Sequence, residues 1–192
     1  MVLVFAESPR GHFKKAAFEA VTYGKKVAEL LGTTCAALTL GTNVTGAEEL
    51  GNYGAARVLQ LADAKYDHVD SHAYAAAIAA VARQNDATVI ILSHTSTGKA
   101  IAGRLSIRLQ AGLVTGVNSL LTVNGNTLHV KKSVFSGKAI AEYEISSPVK
   151  IISLLGNAIR PETMGTMAKV EGITADVSAG RIKVKEVKTL EG

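Results

Sequence analysis

Two hydrophobic rhythms take turns along the first half of the chain. Val2–Ala6 and Cys35–Leu40 are apolar with little interruption. Such runs suit strands covered on both faces, because a strand with one wet face alternates instead. Between them, Ala17, Ala20, Val21, Gly24, Val27, Ala28 and Leu31 recur at helical spacing. Lys14, Lys15, Glu19, Lys25, Lys26 and Glu29 fall off that stripe, which predicts an amphipathic helix ended by Gly32. The alternation then repeats. A short helix is expected over Ala47–Tyr53, stopped by Gly54, and a strand over Arg57–Leu61. An Ala-rich helix is expected over Tyr74–Gln84, a strand over Thr88–Ser93, and a helix over Lys99–Gln110 with Ala102, Leu105 and Leu109 in register. Strand and helix in turn imply right-handed crossovers and a parallel sheet.

After Gly112, read as the end of that last helix, the pattern changes. Val117–Val123 and Thr127–Val134 flank Asn124-Gly125-Asn126, the signature of a hairpin, and Gly137 turns the second strand back. Lys138–Ile145 alternates Ala139, Ala141, Tyr143 and Ile145 against Ile140, Glu142 and Glu144, which predicts a half-buried strand. Pro148 breaks it, and Val149–Leu155 is another buried run. The expected fold is therefore α/β: a doubly wound, mostly parallel sheet with helices on both faces, ending in antiparallel strands. Residues 1–167 read as one domain. Residues 168–192, where Val170, Val177, Ile182, Val184 and Val187 are separated by charges and glycines, read as an extended arm or linker.

Composition narrows the class. Hydrophobic residues make up 47% of the 192 and charged ones 19%, enough apolar side chain for a core and too much for a disordered chain. The net charge is +5. The basic residues are scattered and form no one-sided patch, so solvated faces explain them and a nucleic-acid partner is not expected. No run has the apolar length of a membrane span. Cys35 is the only cysteine, which excludes an intramolecular disulfide and suits a reducing, cytoplasmic compartment.

In an open parallel sheet, ligands gather at the carboxyl ends of strands near a switch point. Two loops qualify: Glu7–Phe13, and Ser93, His94, Thr95, Ser96, Thr97, Gly98 and Lys99. The second is polar, contains glycine and opens a helix, whose N-terminus favours anions. It is not a Walker A loop, because Ser93 stands where the leading glycine belongs and Ala100 follows Lys99. A simple βα loop with Ser96 or Thr97 as the helix cap and a loop contacting an anion or partner both fit. His94 has no carboxylate beside it to complete a catalytic set, and His68 and His72 lack the HExxH glutamate. Neither catalysis nor a metal is expected.

Several phrases, in order, carry a resemblance: Leu3-Val-Phe-Ala-Glu7, Gly54-Ala-Ala-Arg-Val-Leu59, Thr97-Gly-Lys-Ala-Ile-Ala-Gly-Arg-Leu-Ser106, Leu109-Gln-Ala-Gly-Leu-Val-Thr-Gly-Val117, Val134-Phe-Ser-Gly-Lys-Ala-Ile-Ala141 and Val149-Lys-Ile-Ile-Ser-Leu-Leu-Gly-Asn-Ala158. Together they resemble the N-terminal domain of electron transfer flavoprotein alpha subunits, whose fold is adenine nucleotide alpha hydrolase-like. The resemblance implies an electron carrier, not an enzyme. It implies an αβ heterodimer with one FAD that moves electrons from acyl-CoA or related dehydrogenases to a quinone oxidoreductase or another acceptor. It places FAD mainly in a second alpha-subunit domain and AMP in the beta subunit, and assigns no FAD ligand to any position here. The charged end, Lys188-Thr-Leu-Glu-Gly192, reads as the linker toward that FAD domain. This domain would pack on the beta subunit, with the exposed Val and Ile of the arm as candidate contacts. An adenine-nucleotide-binding module of the universal-stress type is the alternative. It predicts AMP or ATP in the cleft between Phe5–Arg10 and Ser93–Lys99.

Overall fold

The structure, a computed structural model, describes residues 1–178, 180 and 182–188. The expected ending Thr189–Gly192 lies outside them. Among the described residues, ten strands and three α-helices follow in the order β1 (Val2–Phe5), α1 (Lys15–Leu30), β2 (Cys35–Leu40), β3 (Arg57–Leu61), α2 (Ser71–Gln84), β4 (Val89–Ser93), α3 (Ser96–Leu109), β5 (Gly112–Val117), β6 (Thr122–Asn124), β7 (Thr127–Val134), β8 (Ala139–Ile145), β9 (Lys150–Leu154) and β10 (Lys169–Gly172). Short 3₁₀ turns at Pro9–Gly11, Ala47–Tyr53 and Ala64–Tyr66 fill the loops.

Seven strands form one sheet in the order β10-β3-β2-β1-β4-β9-β5, and every pairing in it is parallel. Its two faces bury different residues. Val2 and Val4 of β1 join Ala17, Ala20, Val21 and Val27 of α1 on one side. Leu3 and Phe5 join Ala75, Ile78 and Val81 of α2, with Ile101 and Leu105 of α3, on the other. The alternation of β1 is thus hidden in the sequence because both faces are apolar. Small residues set the helix–sheet distance: a methyl group on Gly24 of α1 would come within 2.3 Å of a Val4 methyl.

The antiparallel strands form a separate three-stranded sheet, β6-β7-β8. It is inserted between β5 and β9, and the chain afterwards returns to the main sheet twice. Val117–Val123, expected as one strand, divides between the end of β5 and the start of β6. Gly112 opens β5 and does not end α3; that helix ends at Gln110, whose φ is +50°. Glycine is needed at 112 because a methyl there would meet Ile145 at 2.5 Å and the Ser147 hydroxyl at 2.9 Å. Residues 169–172, expected within an extended arm, dock along β3 as the edge strand β10. No helix among the described residues is long and apolar enough to cross a membrane.

Candidate functional site

The helices that follow β1 and β4 leave to opposite faces of the sheet. A crevice therefore opens at the carboxyl ends of these neighbouring strands. A hollow of about 270 Å³ lies there, between the first turns of α1 and α3, lined by Glu7, Pro9, Lys14, Ala16, Ala17, Thr95, Ser96 and Thr97. A larger cleft of about 490 Å³ extends beside it over the ends of β1 and β2.

Thr95, not Ser96 or Thr97, caps α3: its hydroxyl oxygen accepts the Gly98 N–H at 3.0 Å. The helix begins three residues earlier than its apolar periodicity indicates. Three consecutive hydroxyl residues leave the cap ambiguous in sequence. Gly98 resolves it, since a methyl on its Cα would lie 1.8 Å from the Ser93 carbonyl oxygen. Only glycine lets the first turn of α3 close so tightly on β4. The Thr95 hydroxyl also donates to Glu7 Oε2 at 2.6 Å. Glu7 thus brings a carboxylate beside the N-terminal end of α3, where the helix dipole and free N–H groups favour negative charge.

The other expected site residues divide between the hollow and the framework. Ser93 is buried, and its hydroxyl donates to the Ala16 carbonyl at 3.1 Å, tying β4 to α1. Ser96 and Thr97 line the hollow, while Lys99 is exposed on α3. His94 turns away toward β9, where its Nδ1 lies 2.7 Å from Ser153 Oγ. That oxygen also accepts the Gly116 N–H at 3.2 Å. A Ser–His pair suggests a nucleophile, but Ser153 is wholly buried in β9, and a nucleophile must reach its substrate. The pair is a strut joining the β4–α3 loop to β5 and β9. Burial, then the charges of Lys99 and Lys132, hold the His94 imidazole below its usual pKa. Among the described residues, no group of three or more His, Cys, Asp or Glu could hold a metal.

The larger cleft has a buried floor of Phe5, Leu40, Tyr66 and Tyr74. Phe5 and Tyr66 each meet the Tyr74 ring edge to face at 5.9 Å. Its walls are fastened to one another. The Asp67 carboxylate accepts the Thr42 N–H and hydroxyl at 2.7 and 2.8 Å. Thr45 donates twice to the Gly11 carbonyl, and the Tyr74 hydroxyl donates to the Tyr66 carbonyl. Reading the sequence missed Glu7 and Ser153 as partners of the loop. Both carry a signal: Glu7 is a carboxylate directly after the first buried strand, and Ser153 is a lone hydroxyl in the apolar run Val149–Leu155. A buried hydroxyl calls for a partner.

The flavin implied by the resemblance can be tested against this geometry. A dinucleotide places its diphosphate at a helix N-terminus approached through open glycines. Here Glu7 puts a like charge at that position, and Gly98 is consumed by the contact with Ser93. The residues present do not fit a flavin diphosphate.

The family model described as the electron transfer flavoprotein domain matches residues 2–179. The electron transfer flavoprotein subunit alpha of Bacillus subtilis is 28% identical over 199 residues, an alignment covering 100% of this chain and 59% of that protein. Protein FixB of Clostridium saccharobutylicum is 26% identical over 193 residues, covering 99% and 58%. The acryloyl-CoA reductase electron transfer subunit beta of Anaerotignum propionicum is 29% identical over 120 residues, covering 62% and 33%. The chain therefore spans 59% and 58% of the first two relatives, corresponding to their N-terminal part.

Proposed function

We propose, from the premise that the chain belongs to the electron transfer flavoprotein family, that it is the scaffold portion of an alpha subunit. In this reading it packs on a beta subunit, and the αβ pair carries one FAD. The pair takes electrons from an acyl-CoA or related dehydrogenase and passes them to a quinone oxidoreductase or another acceptor, in the cytoplasm. The alignment of the whole chain with an alpha subunit carries the proposal. Two features of the molecule support it. Glu7 and Gly98 leave no place for a flavin diphosphate at the sheet's switch point, which favours a flavin held mainly by other polypeptide, and AMP in the beta subunit is compatible with this. Phe135 in the β7–β8 turn and Ile140 and Tyr143 on opposite faces of β8 are open to solvent at 79%, 71% and 40% exposure, apolar side chains available to a partner subunit. In this reading the chain is scaffold for an electron carrier and performs no catalytic step.

Mixing the chain with its beta subunit and measuring mass by light scattering tests the reading. A stable one-to-one complex is expected, and two separate species would refute the scaffold role. The isolated chain should be colourless; stoichiometric FAD on it would refute the placement of the flavin. The 490 Å³ cleft favours one second reading, an adenine-nucleotide module of the universal-stress type. Calorimetric titration with AMP and ATP would reveal micromolar binding if that reading holds.

A further inference from the structure

We propose that the segment after β10 is a latch, clipped to the first turn of α2 by Asp70, which carries the chain to the mouth of the large cleft. The segment has no regular secondary structure over its described residues, so its order depends on individual fastenings. Ordering each residue costs roughly 1–2 kcal/mol of backbone entropy. The fastenings run in sequence. Ile173 N–H donates to the Gln60 carbonyl at 2.9 Å, and Gln84 Nε2 donates to the Thr174 carbonyl at 3.5 Å. Lys65 Nζ donates to the Val177 carbonyl at 3.2 Å, while Ile173, Ala175 and Val177 pack on the α2 side of the core. The last fastening among the described residues is the Ile182 N–H to Asp70 Oδ2 at 3.1 Å. Val187 then stands at the cleft with Phe5, Tyr66 and Tyr74.

Asp70 does two jobs with two oxygens. Oδ1 accepts the His72 and Ala73 N–H groups at 2.9 and 3.0 Å and caps α2. Oδ2 is left for the latch. The carboxylate is 5% exposed, and a charged acceptor out of bulk water makes a stronger bond than a neutral one. Gly180 passes so close that a methyl on it would lie 2.2 Å from Oδ2. The closed latch therefore needs both an acceptor at Oδ2 and the missing side chain at 180.

This division gives a variant that separates the two jobs. In Asp70→Asn the amide oxygen still caps α2, because two cap bonds against one fix its orientation and asparagine is a good N-cap. The amide nitrogen that replaces Oδ2 has no lone pair to accept Ile182 N–H. Gly180→Ala opens the latch from the other side with Asp70 intact. Hydrogen exchange followed by mass spectrometry on the 192-residue chain reads both. In each variant, amides of the segment from residue 182 to 187 should exchange at least roughly tenfold faster than in the parent, and those of α2 should be unchanged. Unchanged protection of the segment in either variant overturns the proposal. Equal loosening of α2 and the segment in Asp70→Asn also overturns it, since Asp70 would then be a helix cap alone.

Discussion

The parallel sheet and the inserted antiparallel sheet end in opposite environments, and their strands already differ: β4 is Val-Ile-Ile-Leu-Ser, whereas β7 and β8 interleave Lys131, Lys132, Glu142 and Glu144 with apolar residues. In β4 and β9 every residue is buried, including the polar Ser153 and Lys150. In β8 only Ile145 is buried, and Ile140 and Tyr143 remain open to solvent. The cause is cover. Helices lie on both faces of the main sheet, whereas the small sheet touches the domain through its base, where Leu128, Val130 and Ile145 enter the core at 1%, 1% and 5% exposure. Alternation in a strand says which side chains share a face; it does not say how far the cover above that face extends. Ile140 and Tyr143, three positions apart on β8, stand on opposite faces, Ile140 with Glu142 and Glu144 and Tyr143 with Ile145, and each is an exposed apolar side chain open to a partner.

The sharpest way to break this comparison is to cut the same kind of side chain in both sheets. Ile91 is the core case: it lies in β4, fully buried between paired strands β1 and β9. Ile91→Ala should cost about 4 kcal/mol in urea denaturation, from lost burial plus the cavity left behind. A loss below about 1 kcal/mol would mean that this core collapses around the gap, and that the tight packing ascribed to the parallel sheet is wrong.

Next in size is Gly98→Ala. Alanine is the better helix former by about 1 kcal/mol, yet the added methyl meets a backbone carbonyl that cannot swing aside. A net loss of about 2 kcal/mol is expected, with the α3 first-turn amides losing protection against exchange. A stabilised variant would show that α3 can shift along β4 and that the switch-point geometry is soft.

Ser153→Ala ranks third. It leaves the Gly116 N–H and His94 Nδ1 without their shared partner, at about 1–2 kcal/mol. The same strut gives a pH dependence. His94 has a depressed pKa in the folded chain, so the unfolded chain binds the proton more readily. Its contribution to stability is complete above the unfolded value of about 6.5 and is lost as pH falls toward the folded one. An NMR titration placing His94 above 6.5 would reverse that sign.

Much of this was legible in the sequence, for physical reasons that vary by region. β2 and β3 fall where their apolar runs placed them, and α1 within two residues, because burial on both faces writes a continuous signal. The fold class could be read for the same reason, whereas the family rests on the ordered phrases between Leu3 and Ala158. β5 was missed: Gly112–Val117 is broken by Thr115 and Gly116, and at the sheet edge only Val114 and Val117 of its residues are buried. β10 was missed because Lys169 and Glu171 flank Val170, and an edge strand needs only one apolar side chain to dock. At the candidate site, the loop 93–99 stood out by composition, but its partners did not. Glu7 and Ser153 lie 88 and 59 positions from the residues they bond, and only the sheet order brings them together.

The smallest effect on stability belongs to the antiparallel sheet and carries the most information about function. Ile140 is 71% exposed on β8, so Ile140→Ser removes little buried surface and should change stability by less than about 0.5 kcal/mol. If the face of β8 that carries Ile140, Glu142 and Glu144 receives a beta subunit, the same change deletes an apolar contact from a desolvated interface, where truncating a central residue costs about 2 kcal/mol or more. The complex should then dissociate at least roughly tenfold more readily, which calorimetric titration of the two chains would measure. Folding unaffected with assembly weakened would assign the exposed face to the partner. Folding and assembly both unaffected would place the partner elsewhere on the domain and leave the Ile140 face of β8 without that role.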